Sequence, residues 1–246
     1  TLCLSSQAGC AMGCVFCLPA RGGFTRNLKP AEMVNQITAV REWMGGRSMK
    51  DLTNLVFMGM GEPLANLDHL LAALSIISEQ RGLDFASRRI TVSTCGLVPQ
   101  LLELGRKSEV NLAVSLHAAD DPTRTMLMPV NRKYPLAELL GACRQFEMKK
   151  RQRIMFEYTL LQGINDSDDT ARRLAEILRG IPCKINLLSM NEAGRSGYRG
   201  AERDRILRFQ EILRRKGYTV FIRQSRGEDI SAACGQLAGR MRDPAL

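Results

Sequence analysis

Three thiols stand within eight residues of this sequence. Cys10, Cys14 and Cys17 fall in the spacing C-x3-C-x2-C, inside the stretch SSQAGCAMGCVFCLPARGGFTRNL. Thiolates in such a run are metal ligands. A closed zinc site takes four donors, and this stretch holds no fourth cysteine and no histidine. A cubane iron–sulfur cluster held by three cysteines keeps one iron open for a small ligand. A zinc site completed from a distance, or three structural thiols, are the competing readings. Gly9 and Gly13 would let the backbone turn closely around such a cluster.

Further polar groups punctuate the chain. In GMGEP (Gly59–Pro63), glycines permit close backbone approach, and Glu62 can accept hydrogen bonds from an ammonium group. A glycine turn with a surface glutamate is the plainer reading. Ser93, the triplet Ser115-Leu116-His117, and Asn191 each follow an apolar run. Singly, such residues cap helices or sit in cores; together they outline a small-molecule pocket. Cys3 precedes the cluster loop, and Cys234 lies in SRGEDISAACGQLAG near Arg223 and Arg226, where a thiol pKa can fall. From spacing alone a small buried hydrophobe is the favoured reading for either, and more strongly so for Cys95, Cys143 and Cys183.

The elements that must position these groups alternate in type. β-rich runs occupy 1–5, 54–58, 89–94, 111–117, 153–160, 184–190 and 219–224. Helical patterns occupy 30–44, 67–81, 98–106, 135–149, 167–179 and 201–216, with Ala171, Leu174, Ala175 and Leu178 forming one face. Proline at position 30 suits a first helical turn. Alternation with apolar strands predicts a parallel sheet covered by crossover helices. Six βα units and a closing strand predict an α/β fold, a partial (β/α)6 TIM-like barrel, with a doubly wound open sheet as the alternative. The polar motifs follow the strands, at the edge where barrels carry chemistry.

The 246 residues are 45% hydrophobic, enough for one sizeable core. A net charge of +10 and a pI near 9.5 suit a polyanionic partner such as nucleic acid. Eight cysteines, unpaired by spacing, suit a reducing cytoplasm rather than a secreted disulfide scaffold. No run approaches the ~18 apolar residues of a membrane span. The start, TLCLSSQ, reads as a strand without a charged leader, so an upstream domain is expected.

With Phe16 between the last two cysteines, the loop resembles the signature of radical S-adenosylmethionine (SAM) enzymes, whose usual scaffold is also a partial α/β barrel. Cys3 ahead of SSQAGC, then GGFTRNL, GMGEP, STCG, SLHA and RGEDISAACGQLAG resemble the adenine carbon-2 methyltransferases of large-subunit rRNA and tRNA over residues 1–240. A sister group methylates carbon 8 of the same rRNA adenosine. The resemblance implies a 4Fe–4S cluster on Cys10, Cys14 and Cys17, with SAM, two per turnover, held by Gly61, Glu62, Ser93, Ser115, Leu116, His117 and Asn191. It implies that Cys234 takes a methyl group from one SAM, and that a radical from the second activates that methyl for attack on carbon 2. Cys3 then releases the product by forming a disulfide with Cys234. The implied partners are 23S rRNA, tRNA as a second substrate, and an electron-donating reductase. A cytoplasmic monomer is expected, with residues 1–246 as its catalytic domain and a separate N-terminal RNA-binding domain. Arg21, Arg26, Arg195, Tyr198 and the run Lys149-Lys150-Arg151-Arg153 are candidate RNA contacts. The chain departs from the family at Leu18-Pro19-Ala20 and at Leu188–Glu192, which puts substrate contacts there in question. A carbon-8 methyltransferase, and a radical SAM activase or maturase, are the alternatives.

Overall fold

A computed structural model describes residues 1–17, 20, 22–45, 52–190 and 197–223. Its main sheet has seven parallel strands: β1 (Leu2–Cys3), β4 (Leu55–Phe57), β5 (Ile90–Thr94), β6 (Asn111–Ser115), β7 (Ile154–Leu160), β8 (Cys183–Ser189) and β9 (Thr219–Arg223). They lie side by side in chain order, and the sheet curls into a half-barrel. A doubly wound sheet would reverse its strand order part-way across; this one does not. All seven fall on the apolar runs of the sequence.

Helices α1 (Pro30–Trp43), α2 (Leu67–Ser78), α3 (Val98–Lys107), α4 (Asp121–Leu127), α5 (Leu136–Gln145), α6 (Asp168–Ile177) and α7 (Arg203–Arg215) occupy the crossovers. Local chemistry sets their starts. Ser167 and Asp120 accept the Thr170 and Thr123 N–H groups, and Pro30 opens α1. The α6 face expected from the sequence is the buried one. Asp168 of α6 accepts a two-pronged pair from Arg208 of α7, at 2.9 and 2.6 Å.

Strand alternation divides the side chains between two faces. Leu55, Phe57, Ile90, Val92, Leu112, Val114, Phe156, Ile185 and Leu187 turn toward the helices and form one continuous core. The opposite, concave face receives the residues between them. There Ser93 stands level with Ala113 and Met155, and Ser115 with Glu157 and Asn186. Leu2 and Leu4 belong to the core, so Cys3 between them faces the concave side, where it is exposed.

Two features, a strand pair and a helix, were not legible as such in the sequence. Flanking the cysteines, β2 (Gln7–Gly9) and β3 (Phe24–Asn27) pair antiparallel as a separate small sheet. Helix α4 fills the stretch after SLHA that the sequence pattern leaves as loop. Both are short and depend on tertiary neighbours rather than periodicity. Phe156 has no exposed surface at the centre of the core. Phe156→Ala is expected to cost about 3–5 kcal/mol, measurable as a lower urea midpoint with an unchanged slope.

Candidate active site

Two supports hold the cysteine loop. On one side, β2 and β3 cross so closely that a Cβ on Gly9 would lie 2.0 Å from the Gly23 carbonyl oxygen; Gly9 also has φ +79°. The Cys10 N–H donates to that same carbonyl at 2.9 Å. On the other side, the Val15 N–H donates to the Leu127 carbonyl at the end of α4, at 3.1 Å. Met12, Cys14, Val15 and Phe16 rest there on a small apolar cluster of Cys95, Leu127, Met128 and Leu161. Burial raises the Cys10 thiol pKa and pushes that of Cys14 up to about 12, and Cys17 reinforces both shifts. The three thiols are thus close enough to repel one another once ionised.

GMGEP is locked against the strand that leads into this loop. The Ser6 and Gln7 N–H groups donate to the Met60 carbonyl at 3.0 and 3.2 Å. Gln7 Oε1 accepts the Glu62 N–H at 2.9 Å, while its Nε2 donates to Asn27 Oδ1 at 2.7 Å. Gly61 has φ +102°, and a Cβ there would fall 2.5 Å from the Gln7 Cβ. Only glycine meets both conditions. Asn66 clamps the arrangement from below, donating to the carbonyls of Ser6 and Leu28 at 2.9 and 2.8 Å.

Glu62 is almost wholly buried. Its carboxylate accepts the Leu64 N–H at 3.0 Å and the Cys95 N–H at 2.7 Å, so it ties the exit of β4 to the exit of β5. Burial raises its pKa, against the pull of hydrogen bonds from Cys95, Thr94 and Leu64.

His117 ends the β6 segment with φ +57°, unusual for a side chain without special local bonding. Asn165 fixes it there, donating to the carbonyls of His117 and Thr159 at 2.7 and 2.8 Å. The Thr159 N–H donates to His117 Nδ1 at 2.9 Å, so Nδ1 is an acceptor and the ring proton sits on Nε2. Burial, and secondarily Arg124, lower the His117 pKa to about 3, keeping the ring neutral. Phe16 of the cysteine loop meets this ring edge to face, with centroids 4.7 Å apart. Loop and strand end are thereby joined directly.

Arg124, on α4, is fully buried. It donates to the carbonyls of Cys95 (2.7 Å), Ser115 (3.3 Å) and Leu116 (3.3 Å) and to Asn131 Oδ1 (2.9 Å). Burial draws its pKa down, yet a guanidinium remains charged.

The structure therefore brings Cys10, Cys14, Cys17, Gly61, Glu62, Leu116 and His117 to one rim, with Ser93, Ser115 and Cys3 on the concave face beside it. Asn191 and Cys234 lie outside the described residues, as do Leu18, Pro19, Arg21, Arg195 and Arg226. Arg26 is engaged by Glu32 at 2.8 and 2.7 Å, and Lys149 pairs with Glu109, so both have partners within the chain. Cys95, Cys143 and Cys183 are buried, and burial pushes the last two up to about 12 and 11, as befits inert core thiols. Gln7, Asn66, Arg124, Asn131 and Asn165 were not singled out from the sequence. Their signal is a polar residue in an otherwise buried context, which a lone sequence does not expose.

Among the described residues, no three His, Cys, Asp or Glu side chains converge on a point that could hold a single ion. Three neighbouring thiols around a loop instead suit the separate corners of a cubane, each iron taking one thiolate. The donor set fits a 4Fe–4S cluster better than tetrahedral zinc.

This half-barrel with a three-cysteine loop at its rim defines the class. The model of the radical SAM superfamily matches residues 4–175, and the chain belongs to that superfamily. Its cofactors are a 4Fe–4S cluster and S-adenosylmethionine. Within the superfamily it belongs to the dual-specificity RNA methyltransferases. It is 59% identical over 244 residues to the dual-specificity RNA methyltransferase RlmN of Desulfotalea psychrophila, covering 97% of this chain and 67% of the relative. It is 54% identical to that of Syntrophobacter fumaroxidans, covering 96% and 69%. The crystal structure of a radical SAM methyltransferase from Sphaerobacter thermophilus superposes with a TM-score of 0.89 at 47% identity, covering 95% of this chain and 69% of that one. The chain thus spans about two thirds of these relatives' length.

Two outcomes follow from this geometry. Gly9→Ala and Gly61→Ala should each reduce iron and sulfide incorporation on anaerobic reconstitution, because the added methyl strikes Gly23 or Gln7. His117→Asn tests the buried imidazole. The unfolded ring takes a proton below its ordinary 6.5, whereas the folded ring does so only near 3. The wild type should therefore lose stability relative to the variant as pH falls through that window, by up to about 1.4 kcal/mol per pH unit. Urea denaturation from pH 7 to pH 4 measures this difference.

Proposed function

We propose that residues 1–246 form the catalytic domain of a methyltransferase that modifies carbon 2 of an adenosine in 23S rRNA, with tRNA as a second substrate. The supporting observation is the convergence of the cysteine loop, GMGEP and the ends of β5 and β6 on one rim, with Cys3 on the adjoining concave face. The names of the relatives at 54–59% identity support the substrate class. The basic charge of +10 suits RNA as a polyanion.

When bound at Cys10, Cys14 and Cys17, the cluster supplies the electron that cleaves SAM. The remaining work belongs to the chain. Gly61 and Glu62 present a tightly turned backbone and a buried carboxylate on the SAM side of the loop. Ser93 and Ser115 offer hydroxyls from the concave face. His117, neutral and protonated at Nε2, offers a donor whose state does not change over the physiological pH range. Cys234 would take the methyl group from one SAM by displacement, with S-adenosylhomocysteine leaving. That methyl would give one hydrogen atom to the deoxyadenosyl radical from the second SAM. Its carbon would bond to carbon 2 as the base loses its carbon-2 proton and returns the electron spent on SAM cleavage. Cys3, exposed on the edge strand, attacks the Cys234 sulfur to release the methylated base, leaving a disulfide that an external reductase reopens. The base must leave its stack to reach this face.

Cys234→Ala should abolish methylation while SAM cleavage on reduction persists. Cys3→Ala should accumulate a covalent protein–RNA adduct on a denaturing gel. Nucleoside mass spectrometry of the RNA product should show 2-methyladenosine. Finding 8-methyladenosine alone would move the reading to carbon 8. Undiminished turnover by Cys234→Ala would instead restore the activase or maturase reading.

A further inference from the structure

Arg124 is the largest fully buried side chain among the described residues, and every partner it has is neutral. No described carboxylate pairs with it directly. Asp121 stands one amide away, since Asn131 donates from Nδ2 to Asp121 Oδ1 at 2.9 Å and accepts from Arg124 at Oδ1. Glu62 stands behind the Cys95 backbone, which gives its N–H to Glu62 and its carbonyl to Arg124. Burying a charge without a counter-charge is costly, and a neutral donor could hold some of these carbonyls. The charge itself therefore calls for an explanation.

The explanation lies in what α4 supports. The helix that carries Arg124 receives the Val15 N–H at Leu127, three residues on. Cys95, whose carbonyl is the shortest Arg124 contact, belongs to the apolar cluster against which Cys14 packs. The guanidinium thus lies within electrostatic reach of Cys14 in the three-thiol loop, in a medium of low dielectric where charges act strongly. Loaded with the cluster, that loop holds three thiolates, and one-electron reduction adds a further negative charge.

We propose that Arg124 is the built-in counter-charge of the cluster: a positioning residue that fastens the ends of β5 and β6 and, through its fixed positive charge, raises the reduction potential of the group bound at Cys10, Cys14 and Cys17. The proposal rests on the cluster-binding reading of that loop. Removing the charge disfavours the reduced form; rearranging the hydrogen bonds while keeping the charge does not.

The test is a redox titration of the anaerobically reconstituted protein followed by electron paramagnetic resonance, with iron and sulfide content measured first. Arg124→Gln should make reduction about tenfold less favourable, a shift of about 59 mV to lower potential for a one-electron couple. Arg124→Lys should hold the potential within about twofold of the wild type in the equilibrium, even where its stability falls. Equal shifts in both variants, or none in either, overturn the proposal. Should the Arg124 variants fail to fold, the isosteric exchange Asp121→Asn with Asn131→Asp decides. It moves a carboxylate from one amide away into contact with the guanidinium at constant net charge. Reduction should then become at least threefold less favourable, and an unchanged potential overturns the proposal. If the wild type assembles no four-iron cluster, the reading of the loop fails first and takes this inference with it.

Discussion

A run of hydrogen bonds, from exposed Asp121 inward through buried Asn131, Arg124 and the Cys95 backbone to Glu62, underlies the working rim of this half-barrel. It links α4, the ends of β5 and β6, and the segment leaving β4. Parallel strands end in carbonyls with no further partners, and burying them unpaired is unfavourable. A guanidinium with five donors in a fixed fork suits this task. Once these ends are fixed, the positions of GMGEP, the β5 hydroxyls and the SLH triplet follow.

Close backbone approach is the second constraint. Gly9 against Gly23, Gly59 against the Leu4 carbonyl and Gly61 against Gln7 leave no room for a methyl group. These contacts bind the cysteine loop and the GMGEP turn to the same strand exit. Val15 and Phe16 bind the loop's far side to α4 and to His117. Held on both sides, the loop presents its thiols from a prepared frame rather than collapsing onto a metal.

The concave face carries polar side chains among apolar ones, where the outer face is apolar. Ser115, Glu157 and Asn186 share one row, and Asn186 donates to the Glu157 carboxylate at 2.9 Å. Burial raises the Glu157 pKa. This division explains why strands that read as almost wholly apolar still frame a site. Half of each strand builds the core against the helices, and the residues between face the cavity.

Much of this was legible in the sequence. Apolar runs marked all seven parallel strands, and the 3–4 spacing of Ala171, Leu174, Ala175 and Leu178 marked the buried face of α6, because periodicity is a local property of the chain. The C-x3-C-x2-C spacing marked a three-thiol loop, because one short segment carries all three cysteines. The tertiary structure alone decided the rest. Whether the sheet curled in one direction or wound both ways depends on strand order, which no local pattern encodes. The β2–β3 pairing, the tautomer of His117, the double engagement of Glu62 and the burial of Arg124 all arise between residues distant in sequence. Hydrogen bonding and desolvation act on neighbours in space, so the chemistry was written locally and its electrostatic setting was fixed only by folding.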